Sequence, residues 1–365
     1  MKKIGILTWY NHGNYGSAMQ AYALKTYLNK LGYKTEIIPY IPLWERNLHN
    51  QKFTKRLKKF LKRIYGFFNV VIQNYKYTDF TYIFRKKYLK ISNQCTEEDI
   101  AQYVKKYSTI ICGSDQIWNP TYIDYTFLLN FVSDHINKIS YAASLGVENF
   151  PEEYKHKYME LLQQFNAISV REESGLKILV DLGIKSRVHI DPALLLGVDS
   201  YRKISHSLKK YINKKFLFCY FLKTDNEYKT TIKEYATSKG LDIIGISFNS
   251  DDYQWMTSVS YAGPREWLWL IDNAEIVMTN SYHATIFSII FHTPFYSFIR
   301  FSNSDYYSQN SRIEQLNQYF DIEKNIIDTD TILPNTYFTN SFKKYDECIL
   351  DLQKNAYEYL IVNIK

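Results

Sequence analysis

The stretch Ile276–Phe295, IVMTNSYHATIFSIIFHTPF, constrains the chain most. Ile276–Thr279 reads as a short buried strand and Asn280-Ser281-Tyr282 as a tight turn. Ala284–Phe291 reads as a nearly all-apolar helix, stopped by Thr293-Pro294. His283 stands at the joint, where a strand's carboxyl end meets a helix's amino end. In open α/β sheets ligands bind at such joints, and the free N–H groups of the helix favour an anion there. From position alone, a buried histidine bonded to a neighbouring carbonyl is an equally good reading.

The same grammar recurs along the chain. Lys3–Trp9 is a β-run, followed by the loop Tyr10–Gly16 (YNHGNYG). Ser17 with Gln20 fits a capping box, so a helix is expected from Ser17 to Leu31, with Gly32 as its stop. Thr35–Tyr40 is the next strand. This opening, strand, Gly-containing loop, helix, strand, is half of a doubly wound fold. Gly16 permits close backbone approach to a ligand. Asn14 and Tyr15 either line the crevice or serve the turn.

Further strands are expected at Thr109–Cys112, Lys138–Ala142, Ala167–Val170 and Arg187–Ile190, each ending in polar residues. Gly113-Ser114-Asp115 follows the first of these, Arg171-Glu172-Glu173 the third and Asp191 the last. Asp115 is a candidate base or a turn residue bonding its own backbone. Arg171 is a candidate anion ligand or the partner of Glu172, Glu173 or Asp191. Gly197–Lys215 reads as a connection. A second α/β unit follows, with strands Phe216–Leu222 and Leu241–Ile246, the His283 segment, and Phe295–Ile299. Arg300 and Asn310-Ser311-Arg312 come next, and Phe342–Leu360 reads as an amphipathic tail helix. The expected layout is an N-terminal Rossmann-like domain over residues 1–197 with a basic helical insertion at 42–92. A C-terminal Rossmann-like domain covers 198–340, and a helix over 341–365 packs back toward the first.

Charge narrows the partners. The 45 Lys and Arg against 37 Asp and Glu give +8, which suits an anionic substrate, an anionic membrane surface or nucleic acid. No nucleic-acid-binding motif accompanies the charge, so no nucleic-acid partner is expected. The basic run Lys52–Arg63 places Phe53, Leu57, Phe60 and Leu61 on one helical face. It is a candidate for peripheral contact with anionic membrane, although a solvated helix packed on the domain is the preferred reading. The four cysteines are far apart with no CxxC, and no metal-ligand cluster is visible, so no metal is expected. With no signal peptide and no apolar run of spanning length, the expected location is the cytoplasm, at most at the inner membrane face.

Several motifs then coincide in order: YNHGNYGSAMQAYAL, CGSDQIWNP, SYAASLG, VREESG, IDPALLL and TNSYHATIFSIIF. Over nearly its whole length the chain resembles the polysaccharide pyruvyl transferase family. The resemblance implies two Rossmann-like domains with parallel sheets in a GT-B-like arrangement and a site between them. It also implies transfer of a pyruvyl group from phosphoenolpyruvate to a sugar hydroxyl, giving a ketal and phosphate. Phosphoenolpyruvate enters as donor substrate and no cofactor is expected. The acceptor would be a sugar or a lipid-linked oligosaccharide of bacterial surface or exopolysaccharide synthesis.

By this resemblance His283 matches the family histidine and Arg171 the family arginine after the last strand of the first half. Ser281 stands where the family carries a further arginine, and Arg265, Arg300 or Arg312 are the candidates to replace it. His283 and Asp115 are then the catalytic candidates. Asn14, Tyr15, Gly16, Ser17, Ser114, Arg171, Ser281, Tyr282 and Arg312 are the binding candidates. Ser281 leaves open a glycosyltransferase using a nucleotide sugar on the same frame, and a non-catalytic assembly subunit is the third reading.

Overall fold

The computed structural model describes residues 3–10, 14–42, 45, 80–91, 94–222, 226–247, 252, 254–259, 262–301, 308–328 and 342–365. The basic run at 52–63 lies outside these residues.

Two parallel sheets carry the fold. The first is four-stranded, in the order β2-β1-β3-β4, from β1 (Lys3–Leu7), β2 (Lys34–Ile37), β3 (Thr109–Cys112) and β4 (Asn137–Ser140). β5 (Ser169–Val170) and β6 (Arg187–Val188) pair with each other, and the bridges Ile139–Ala167 and Ala143–Val170 attach them beyond β4. The second sheet has six strands: β7 (Phe216–Phe221), β8 (Asp242–Ser247), β9 (Thr257–Ser258), β10 (Ile276–Thr279), β11 (Phe295–Phe298) and β12 (Ile326–Ile327). Their order, β12-β11-β10-β7-β8-β9, is that of a doubly wound dinucleotide-type sheet. Runs such as Phe216–Phe221 and Ile276–Thr279, buried at every residue, are what a sheet covered on both faces requires.

Each sheet therefore reverses its winding at one point, between β1 and β3 in the first and between β7 and β10 in the second. The Tyr15–Lys30 helix rises from the first point and the Tyr282–Phe291 helix from the second. The second helix is buried at every residue, as its all-apolar composition demands. Both belong to one continuous apolar core that also takes in Trp267, Leu194 and Leu360. The Phe342–Asn363 helix begins against the second half, where Phe342 stacks on His292, and ends at the first sheet. There Tyr359 donates to Ser140 O at 2.8 Å, and Asn137 Nδ2 donates to Asn363 O at 2.7 Å. Among the described residues no helix is long and apolar enough to cross a membrane.

Two helix starts differ from the sequence reading. The first helix begins at Tyr15, capped by the Asn14 side chain, which accepts from Gly16 N at 2.9 Å. Ser17 is thus inside the helix, not its cap. Gln20 serves no capping box; its amide reaches Thr8 Oγ1 and Trp9 O, each at 2.9 Å. In the second case Ser281 is the cap, so the helix starts at Tyr282 and takes in His283.

Candidate active site

The turn after β3 has an unusual backbone. Gly113 has φ +120°, and a Cβ there would lie 2.2 Å from Tyr141 O, so glycine is required. Ser114 follows across a cis peptide bond, and Asp115 adopts φ +69°. Ser114 donates to Ala142 O at 2.6 Å and its carbonyl accepts from Thr8 Oγ1 at 2.8 Å. Gln20 Oε1 accepts from Ser114 N at 3.3 Å. These bonds fix the turn and present the Asp115 carboxylate. Its Oδ1 accepts from Gln116 N at 2.9 Å and its Oδ2 from the Ser17 hydroxyl. One oxygen thus serves the turn, and the other meets a side chain of the helix that follows β1.

Arg171 leaves the end of β5 and is 1% exposed. Its Nη1 donates to Asp191 Oδ2 at 2.8 Å and lies 3.9 Å from Asp115 Oδ1, while Nε is 3.6 Å from Glu172 Oε2. The guanidinium lies 4.4 Å from the centre of the Tyr282 ring. Burial opposes its charge, but the Tyr282 hydroxyl and the carboxylates of Asp191, Glu172 and Asp115 outweigh burial and raise its proton affinity. Nε and Nη2 have no hydrogen-bond partner among the described residues.

His283 is 3% exposed and approaches the same carboxylate from the second half. Its Nε2 is 3.4 Å from Asp191 Oδ2, close enough for an ion pair but not aligned as a hydrogen bond. The ring packs on Gly16, where a Cβ would stand 2.3 Å from its Cγ. Asp191 follows β6 and caps the turn at Pro192, its Oδ1 accepting from Ala193 N at 2.9 Å. Burial would raise its pKa, but the charges of His283 and Arg171 and the Ala193 N–H outweigh that and hold it at about 2.

Gly16, Ser17, Asp115, Arg171, Tyr282 and His283 therefore converge, around a carboxylate that the sequence reading treated only as an ion-pair partner of Arg171. Other candidates do different work. Asn14 and Ser281 are helix caps, with Ser281 Oγ accepting from Ala284 N at 3.5 Å. Tyr15 is buried, donating to Ala262 O at 2.7 Å and packing on Tyr220 and Trp267, so it ties the first helix to the second half. Ser114 holds the turn. Of the three arginines weighed as replacements at 281, Arg265 is away from the site, donating to Ile204 O at 2.7 Å. Arg312 lies 5.6 Å from the Tyr282 ring, and Arg300 shares the Gln309 side chain with it.

Chemically, the cluster offers a fixed cation, three carboxylates and an imidazole, carried by the ends of β3, β5, β6 and β10. That is an equipped setting for an anionic substrate and for proton transfer.

Comparison with known proteins bears on the family and the fold. The model of the polysaccharide pyruvyl transferase family matches residues 14–302. No curated protein matches the sequence. Among solved structures, the Staphylococcus aureus MnaA–UDP complex superposes with a TM-score of 0.53 at 10% identity, over 98% of this chain and 91% of that one. The UDP-GlcNAc 2-epimerase of Methanocaldococcus jannaschii gives 0.52 at 12%, over 97% and 100%. That of Neisseria meningitidis, bound to UDP-GlcNAc, gives 0.50 at 12%, over 98% and 94%. At these identities the likeness is one of fold, the GT-B arrangement of two Rossmann-like domains.

Proposed function

The chain belongs to the polysaccharide pyruvyl transferase family and is a transferase enzyme, and we propose that it moves a pyruvyl group from phosphoenolpyruvate onto sugar hydroxyls in surface or exopolysaccharide synthesis. The observation that carries this reading is the buried Arg171–Asp191–His283 arrangement, set against Ser17 and Asp115. A ketal needs two new C–O bonds. One acceptor hydroxyl adds to the enol carbon that bears the phosphate while the neighbouring CH2 gains a proton and becomes CH3. The second hydroxyl then displaces phosphate from the same carbon, and its proton leaves with the phosphate.

The residues divide this work. Arg171 binds the donor's negative charge through its open donors. His283 delivers the proton to the CH2 carbon, with the Asp191 carboxylate beside Nε2 as counter-charge to the imidazolium. Asp115, with the Ser17 hydroxyl, accepts a proton from the attacking hydroxyl. The acceptor is a sugar, free or lipid-linked, and the membrane would be met through that lipid.

The test is incubation of the pure protein with phosphoenolpyruvate and candidate saccharides, followed by phosphate release and product mass. Acceptor-dependent phosphate release with an acid-labile, carboxylate-bearing product supports the reading. A product that has gained a sugar from a nucleotide donor instead would replace it.

A further inference from the structure

Arg300 lies just beyond β11, and Arg312 lies in the first turn of the Ser311–Phe320 helix. Both donate to one atom: Gln309 Oε1 accepts from Arg300 Nη2 at 2.8 Å and from Arg312 Nη2 at 2.7 Å. Both arginines are half-buried. Among the described residues the arginines paired with carboxylates are Arg171 and Arg202; Arg300 and Arg312 are not. Burial lowers the proton affinity of Arg300, and burial with the charges of Arg171 and Arg300 lowers that of Arg312 to about 9. Both remain charged at neutral pH.

The two guanidinium groups line a cleft of about 120 Å³ together with Asn280, Tyr282, Phe298 and Asn310. The cleft lies past the carboxyl ends of β10 and β11, at the amino end of a ten-residue helix. The Asn310 side chain donates to Phe301 O at 2.9 Å instead of capping that helix, and Ser311 Oγ is buried without a hydrogen-bond partner among the described residues. Helix polarity therefore adds to the positive field.

The residue between the arginines is the informative one. A carboxylate at 309 would bind both guanidinium groups more strongly than an amide and would cancel part of their charge. The amide fixes their positions and leaves both charges unspent. Holding two half-buried like charges together is unfavourable until an anion enters.

We propose that this cleft is a phosphate-recognising subsite, in which Arg300 and Arg312, clamped by Gln309, receive a phosphoryl group beside Tyr282. That the phosphoryl group belongs to the donor rests on the pyruvyl-transfer reading; recognition of phosphate itself does not.

The test is calorimetric titration of the full chain with inorganic phosphate. Wild type should bind it, and Arg300→Gln and Arg312→Gln should each weaken binding about tenfold or more, as loss of a charge-assisted bond implies. Gln309→Glu supplies an internal carboxylate of the same shape and should abolish phosphate binding without lowering the melting temperature. Absence of binding to wild type, or equal affinity in a folded Gln309→Glu variant or in both arginine variants, overturns the proposal. Turnover of phosphoenolpyruvate is scored separately. If phosphate binding responds as stated but no acceptor-dependent release occurs, the subsite stands and the pyruvyl-transfer reading falls.

Discussion

Arg171 and His283, from opposite halves of the molecule, meet on one oxygen: Asp191 Oδ2 is 2.8 Å from Arg171 Nη1 and 3.4 Å from His283 Nε2. The cation proposed to bind the donor and the proposed acid/base group are thus set relative to each other by a single carboxylate. Asp191→Asn keeps the shape and removes that charge. It should leave a buried guanidinium short of its counter-ion at a cost of about 3–5 kcal/mol. The sign of its pH dependence follows from the folded carboxyl at about 2 lying below its ordinary 3.8. The stabilisation is present above about pH 4 and is lost as pH falls toward 2. Denaturant titrations across that window should show the wild-type advantage shrinking as pH falls; a constant difference would mean Asp191 adds no pH-linked stability.

Arg171→Lys preserves charge but gives up the planar fork that reaches Asp191 on one side and leaves Nε and Nη2 open. Donor affinity should fall about tenfold or more, the scale of one charge-assisted hydrogen bond. Calorimetry with phosphoenolpyruvate decides the point, and unchanged affinity would leave Arg171 as a structural ion pair.

His283→Asn retains a polar group of similar reach and loses the ability to pass a proton. Acceptor-dependent phosphate release should drop by roughly a hundredfold or more, the usual worth of a positioned acid/base. Thermal melting is the folding control. Near-normal turnover in a folded variant would return His283 to an architectural role.

The sheets were legible because their strands are short apolar runs bounded by polar residues: Thr109–Cys112 and Ile276–Thr279 occur as read. Helix starts were less so, since Asn14, Ser17 and Ser281 are all acceptable caps and only the tertiary context selects Asn14 and Ser281. Polar residues after strands led to Asp115, Arg171 and His283. The same signal marked Asp191, but nothing local ties residue 191 to residue 283, so its bridging position emerges only once the two halves are docked. The Gln309 clamp is hidden for a different reason: residues 300, 309 and 312 are near in sequence, but no period or motif marks a strand end folding onto a helix start. The packing of the Tyr15 ring on Trp267 and Tyr220 has no local sign in the sequence.

The contact between Gly16 and His283 offers the sharpest test of how the halves are docked. A methyl group at Gly16 would stand 2.3 Å from both Cγ and Nδ1 of the imidazole. The ring cannot step aside freely, because His283 is 3% exposed and sits in the first turn of a helix buried along its length. Gly16→Ala should therefore destabilise the protein by about 1–3 kcal/mol, the range for overpacking a core, and should lower turnover by moving Nε2 away from Asp191. The cause can be isolated with a double-mutant cycle. His283→Ala removes the ring that the new methyl group strikes, so Gly16→Ala should cost little in that background. A coupling energy of about 1–3 kcal/mol, within the range for residues in contact, is the expected result from chemical denaturation of the four proteins. Additive effects would show that the first helix and His283 do not touch as described, and would remove the geometric basis for assigning Ser17, Asp115 and His283 to one site.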